Sequence, residues 1–210
     1  MIVGKECSAS NIKYYRANYK KIGLNKHYHR IVFSSKSLPL KTGDKKYAEI
    51  ITFDDKSTLP YAIAIGANPA HAETDIFDKT NFNIAAELEN MKKYKGYYLL
   101  NLYPQLSNSV KDLNAILNKT VASLEMQYII CLFLKETEND VYLFWGDKIS
   151  GKNAKFKKLL SNELEQYITD RVLTGSSRFF YSANINNEMI HPCKNNFHFE
   201  PLTKNNLSEI

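Results

Sequence analysis

Four short apolar runs end at Gly66, Leu102, Trp145 and Ala183, 36 to 43 residues apart, and each gap between them is long enough for a helix. That rhythm constrains the fold more than any other feature of the chain. Tyr61–Gly66, Gly96–Leu102, Asp140–Trp145 and Arg178–Ala183 read as strands, because short apolar runs suit strands buried on both faces. Between the first two, Thr80–Tyr94 offers Ala85, Ala86, Leu88 and Met91 to one helical face. Further helices are expected over 110–135, with a break near 118–120, and over 153–168. Strands alternating with helices predict βαβ units, a central four-stranded parallel sheet and right-handed crossovers that stack helices on both faces. The expected class is α/β, a three-layer sandwich.

Ahead of this rhythm, residues 8–23 can form an amphipathic helix, with Ser10 or Asn11 as cap and Gly23 as stop. Tyr28–Ser35 and Tyr47–Phe53 alternate as an antiparallel strand pair. The expected organisation is therefore a basic N-terminal extension over 1–58 (helix and hairpin), a core over 59–195 and a polar tail over 196–210 whose last residues are loosely held. A chain of 210 residues suits one sizeable core. No stretch approaches the roughly 20 apolar residues that cross a bilayer; the longest, Tyr128–Leu134, has the length of a core element. The start of the chain lacks the pattern of a secretory signal. Cys7, Cys131 and Cys193 make neither an even framework nor a CxxC pair, which favours a reducing compartment. A cytoplasmic, monomeric protein with no membrane partner is expected.

The net charge of +6 sits at the front. Residues 1–30 carry seven basic side chains (Lys5, Lys13, Arg16, Lys20, Lys21, Lys26, Arg30) against Glu6 alone, interleaved with Tyr14, Tyr15, Tyr19 and Tyr28. Cations with aromatics between them suit a nucleic-acid backbone and its bases. A solvated amphipathic face would give the same pattern.

In a parallel sheet all carboxyl ends share one rim, where open α/β sheets place their chemistry. Here the rim would receive Gly66-Ala67-Asn68-Pro69-Ala70-His71, then Asn101, then Trp145-Gly146-Asp147-Lys148, then His191-Pro192. Gly, Asn and Pro are also ordinary turn residues, and a lone histidine is commonly structural. The convergence of four segments on one rim is what points to a site.

Taken in order, these segments resemble a bacterial and phage family known only as a domain of unknown function. The matching residues are Asn68-Pro69-Ala70, Asp75-Ile76-Phe77-Asp78-Lys79-Thr80, Asn101-Leu102, Trp145-Gly146 and His191-Pro192, spanning roughly residues 28–195. More distantly the series is similar to the uracil-DNA glycosylase superfamily. Gly66-Ala67-Asn68-Pro69 resembles its first motif, Tyr98-Leu99-Leu100-Asn101 the strand that reads the flipped base, and Val141–Gly146 and Met189–Pro192 the third and fourth. The chain departs from that pattern. Asn68 stands where the fastest members carry aspartate, Cys193 follows His-Pro in place of serine, and no Pro-Leu-Ser follows to build a DNA-wedging loop.

The resemblance implies a glycosylase-like core hydrolysing an N-glycosidic bond in DNA without metal or organic cofactor. Such chemistry needs a donor for the departing base and a positioned water for the sugar. His191 would donate to the base anion, and Asn68 would orient the water. Asn101 would read an imide edge through its donor and acceptor. Gly66 and Trp145 would line the base site, and Phe77 or Phe82 would stack on the base. Asp75 or Asp78 would supply the missing base function, or else cap the following helix. Lys20, Lys21, Arg30 and Lys148 would meet the phosphate backbone. His71, one of five histidines, has no metal-ligand spacing to any other. Two other readings stay open: a base- or nucleotide-binding module that does not cleave, with a sensing or regulatory role, and a protein-interaction role on an inherited fold.

Overall fold

A computed structural model gives the fold and describes residues 13–20, 27–35, 40–41, 43–67, 69, 79–106, 121–144, 160–176, 178–186, 192 and 197–207. Among these, eight strands form one mixed sheet. They are β1 (Lys13–Lys20), β2 (His27–Ser34), β3 (Lys46–Thr52), β4 (Tyr61–Gly66), β5 (Gly96–Asn101), β6 (Val141–Leu143), β7 (Phe179–Ala183) and β8 (His198–Pro201). Three helices accompany them: α1 (Lys79–Asn90), α2 (Val121–Lys135) and α3 (Asn162–Leu173). The strand order is β1-β2-β3-β5-β4-β6-β7-β8.

The α/β class expected from the sequence is the observed one, but the sheet is larger and mixed. β5, β4, β6 and β7 run parallel to one another. Antiparallel strands extend them on both sides, β1–β3 beyond β5 and β8 beyond β7. The chain leaves β4 through α1 to β5, then returns past β4 to reach β6. This reversal makes the carboxyl ends of β4 and β6 a topological switch point, the place where open α/β sheets bind ligands.

The period of two in the strands separates the faces. On β4, Ile63 and Ile65 join a core with Met126, Ile130 and Leu134 of α2 and Leu164, Ile168 and Val172 of α3. The intervening Ala62 and Ala64 join a second core with Ile84, Ala85 and Leu88 of α1. Helices therefore cover both faces, and each helix contributes apolar residues three or four apart, as one buried stripe requires. Arg178 is 6% exposed and fixes the end of α2. It donates to the carbonyls of Leu134 at 2.7 Å and of Thr137, which satisfies acceptors the helix leaves open.

Three sequence expectations need correction. The helix expected over 8–23 is not formed where the chain is described: residues 13–20 are strand β1, paired with β2 along all eight positions. Tyrosines suit a pleated surface, and the ladder to β2 supplies the backbone partners a lone helix would have to supply itself. Of the helix expected over 153–168, the part within the described residues starts after Ser161, whose hydroxyl accepts the Leu164 N–H at 3.3 Å, and it runs on to Leu173. Within the expected polar tail, His198–Pro201 pair with β7 and Leu202 is buried. No helix among the described residues is long and apolar enough to cross a membrane.

Candidate functional site

Gly66 and Asn101 end β4 and β5 as direct partners in the parallel register. By the alternation of the strands, Gly66 follows Ala62 and Ala64, and Asn101 follows Tyr97 and Leu99, so both face α1. Phe144, just past β6, belongs to the same core and is 4% exposed. A β-carbon placed on Gly66 would lie 2.7 Å from Phe144 Cε2 and 3.1 Å from Asn101 Oδ1. Only a residue without a side chain lets the ring and the amide meet over the strand end.

Asn101 is 3% exposed, and its amide nitrogen has no hydrogen-bond partner among the described residues. A buried donor left unpaired costs about 1–3 kcal/mol. Backbone bonds hold the strand end firmly around it: Leu102 N to Gly66 O, Tyr103 N to Ala67 O and Phe144 N to Ile65 O, each at 2.9 Å. Ala67 and Pro69, which flank Asn68 in the sequence, are both buried.

The α1 helix packs over this corner. Asn81 near its start is 4% exposed, Phe82 packs against the α1-side core, and Asn83 Nδ2 donates to the carbonyl of Pro192 at 2.5 Å. That bond ties the first turns of α1 to the His191-Pro192 segment, 109 residues away. At the other end of α1, Glu89 accepts the Tyr28 hydroxyl at 2.5 Å, and burial with this carboxylate contact pushes the Tyr28 pKa up.

Beside Asn101 on the same face lies a buried ionic triad. Arg30 Nε reaches Glu49 Oε2 at 2.5 Å, and Lys46 Nζ pairs with Glu49 Oε1. Burial alone would raise the Glu49 carboxyl; the charges of Arg30 and Lys46 overcome it and hold the group at about 2.

Of the residues singled out from the sequence, Gly66 and Asn101 come together. Arg30 is corrected: expected to face phosphates, it is 2% exposed and engaged with Glu49, since a charge taken out of water needs a partner. Lys20 is the last residue of β1 and pairs in register with His27. Asn68, Asp75, Phe77, Trp145, Lys148, His191 and Lys21 lie outside the described residues, as do His71 and Asp78. Sequence reasoning missed Phe144, Asn83, Lys46 and Glu49. Phe144 was overshadowed by Trp145, Asn83 is one asparagine in an asparagine-rich chain, and the triad depends on strand pairing. Among the described residues, no group of three or more His, Cys, Asp or Glu is placed to hold a metal ion.

No curated protein and no solved structure matches the chain. One family model matches residues 50–193, which takes in β4 to β7, the helices between them and both halves of the Gly66–Asn101 corner. The chain belongs to that family, described as proteins of unknown function, DUF1643.

Proposed function

We propose that this protein is a glycosylase-like enzyme that hydrolyses the N-glycosidic bond of a flipped or unpaired, uracil-like base in DNA. The observation that carries this reading is the amide nitrogen of Asn101, without a partner among the described residues, in a side chain only 3% exposed at the end of a parallel strand beside Gly66. A buried amide donor kept open there suits a ring that brings its own acceptor. The run of parallel strands covered by helices on both faces supports the glycosylase-like core that the four strand-end motifs imply.

On this reading Asn101 reads the base edge, and His191 donates a hydrogen bond as negative charge builds on the departing ring. Asn68 orients the attacking water through its side-chain oxygen. The target base leaves its stack first, at a cost of a few kcal/mol that is smallest for an unpaired base. Asn68 takes no proton, and loss of a general base costs about 10²–10⁴-fold in rate. Slow turnover is therefore expected. The same asparagine favours a second reading, in which the pocket holds a base or nucleotide without cleaving it.

The test is a panel of oligonucleotides bearing uracil, hypoxanthine or modified pyrimidines, scored for abasic sites with wild type, Asn68→Ala and His191→Ala. Base release that both substitutions abolish supports hydrolysis. Saturable nucleobase binding without release selects the second reading, and neither binding nor release sinks both.

A further inference from the structure

The aromatic ring over Gly66 belongs to Phe144, the residue that follows the three-residue strand β6. Two of its ring atoms lie 2.7 and 2.8 Å from the point a Gly66 β-carbon would take, and Asn101 Oδ1 lies 3.1 Å from that same point. Ring and amide therefore crowd one small space, and both are closed off from water. What the phenyl ring cannot do is answer the amide. It carries no acceptor oxygen or nitrogen, and Asn101 Nδ2 has no hydrogen-bond partner among the described residues. The ring fills the corner by shape and leaves its polarity unmet, an arrangement that costs free energy.

The backbone around the corner is fixed, since Phe144 N, Leu102 N and Tyr103 N bond to the carbonyls of Ile65, Gly66 and Ala67, each at 2.9 Å. The Phe144 ring is held more loosely. Two residues earlier on the same face, Tyr142 is anchored through its hydroxyl to Tyr94 at 2.6 Å and through the rings of Phe180 and Phe199 at 4.9 and 4.6 Å. Among the described residues Phe144 has no ring partner of this kind, so apolar contact alone seats it. Turning its ring about the side-chain bonds breaks no hydrogen bond.

We propose that Phe144 gates the Asn101 site: its ring holds the ligand's place and swings off Gly66 towards solvent when a flat six-membered ring with an acceptor on its edge takes over. The proposal rests on Asn101 contacting a nucleobase. The incoming ring restores the apolar contact over Gly66 and pairs the open donor, so the exchange gains a hydrogen bond that the phenyl ring withholds. Closed molecules bind nothing, and apparent affinity falls by the fraction that is open. Shortening the gate therefore tightens binding, whereas shortening a side chain that only packs the core, or that stacks on the ligand, weakens it.

The experiment is calorimetric titration of the full chain with uracil. Phe144→Ala is expected to bind it about tenfold or more tightly than wild type, with Phe144→Leu between the two, and adding Asn101→Leu to Phe144→Ala should remove the gain. Nuclear magnetic resonance of wild type with ring-labelled phenylalanine needs no folded alanine variant. The Phe144 ring signals, assigned by their loss in Phe144→Leu, should be shielded from a dissolved paramagnetic reagent without uracil and reached by it at saturation. Uracil binding no tighter in the folded variants, or a ring still shielded at saturation, overturns the gate and leaves the base site standing. A gain that survives Asn101→Leu puts uracil in the emptied space without the amide and overturns the gate too. No uracil binding by wild type or by any folded variant overturns the base site and the gate together.

Discussion

Gly66 and Asn101 are paired strand ends in which the missing side chain of one makes room for the amide of the other: Asn101 Oδ1 lies 3.1 Å from where a Gly66 β-carbon would stand. The relationship turns an ordinary strand end into a corner with one open, buried donor. It also makes that corner sensitive to very small changes.

Gly66→Ala tests the corner sterically. The new methyl would sit 2.7 and 2.8 Å from two atoms of the Phe144 ring, which is itself buried. Overpacking of this kind costs about 1–3 kcal/mol. A lowered urea midpoint is expected, together with weakened nucleobase binding as ring and amide shift. Unchanged stability and binding would mean that the contact between Phe144 and Gly66 is not as tight as described.

Asn101→Leu separates a functional residue from a structural one. Because the Asn101 amide nitrogen has no partner among the described residues, replacing this side chain with an apolar one of similar size should raise stability by about 1 kcal/mol. Base release or nucleobase binding should be lost at the same time. Chemical unfolding and ligand titration on the same preparation read both effects. A fall in stability would assign Asn101 to holding the fold.

Much of the frame was legible in the sequence because burial leaves a strong pattern. Tyr61–Gly66, Gly96–Asn101 and Phe179–Ala183 are short apolar runs, and α1 shows its apolar stripe. The strand-end position of Asn101 followed from the same pattern. What the sequence hid depends on pairing between distant segments. Lys13–Lys20 shows charges and tyrosines that suit either element, and only the ladder to β2 decides for a strand. Arg30 carried the default expectation of a solvated cation, and its burial depends on the pairing of β2 with β3, which sets Glu49 beside it. Asn83 gives no sequence signal at all, since its role is a bond to Pro192 across 109 residues.

That bond yields a third prediction. Asn83→Ala removes the tie from α1 to the Pro192 carbonyl, worth about 0.5–1.5 kcal/mol by itself. If the His191-Pro192 segment serves the site, base release or ligand affinity should drop by more than the fold loses, about tenfold or more for a 1.4 kcal/mol misplacement. Equal losses in stability and function would reduce Asn83 to a packing role.

Acid unfolding tests the triad. The Glu49 carboxyl is held at about 2 in the folded protein against an ordinary 4.5, so the folded state favours its ionised form. The stability it contributes is complete above pH 4.5 and is lost as pH falls from there towards 2. Urea unfolding followed across that window should show a steep acid limb in wild type. Glu49→Gln leaves Arg30 and Lys46 buried without their carboxylate, which should cost about 3–5 kcal/mol at neutral pH. In the variant this contribution is absent at every pH, so its acid limb should be shallower and the two curves should converge near pH 2. Parallel limbs in the two proteins would show that Glu49 does not hold the low pKa its two cations impose.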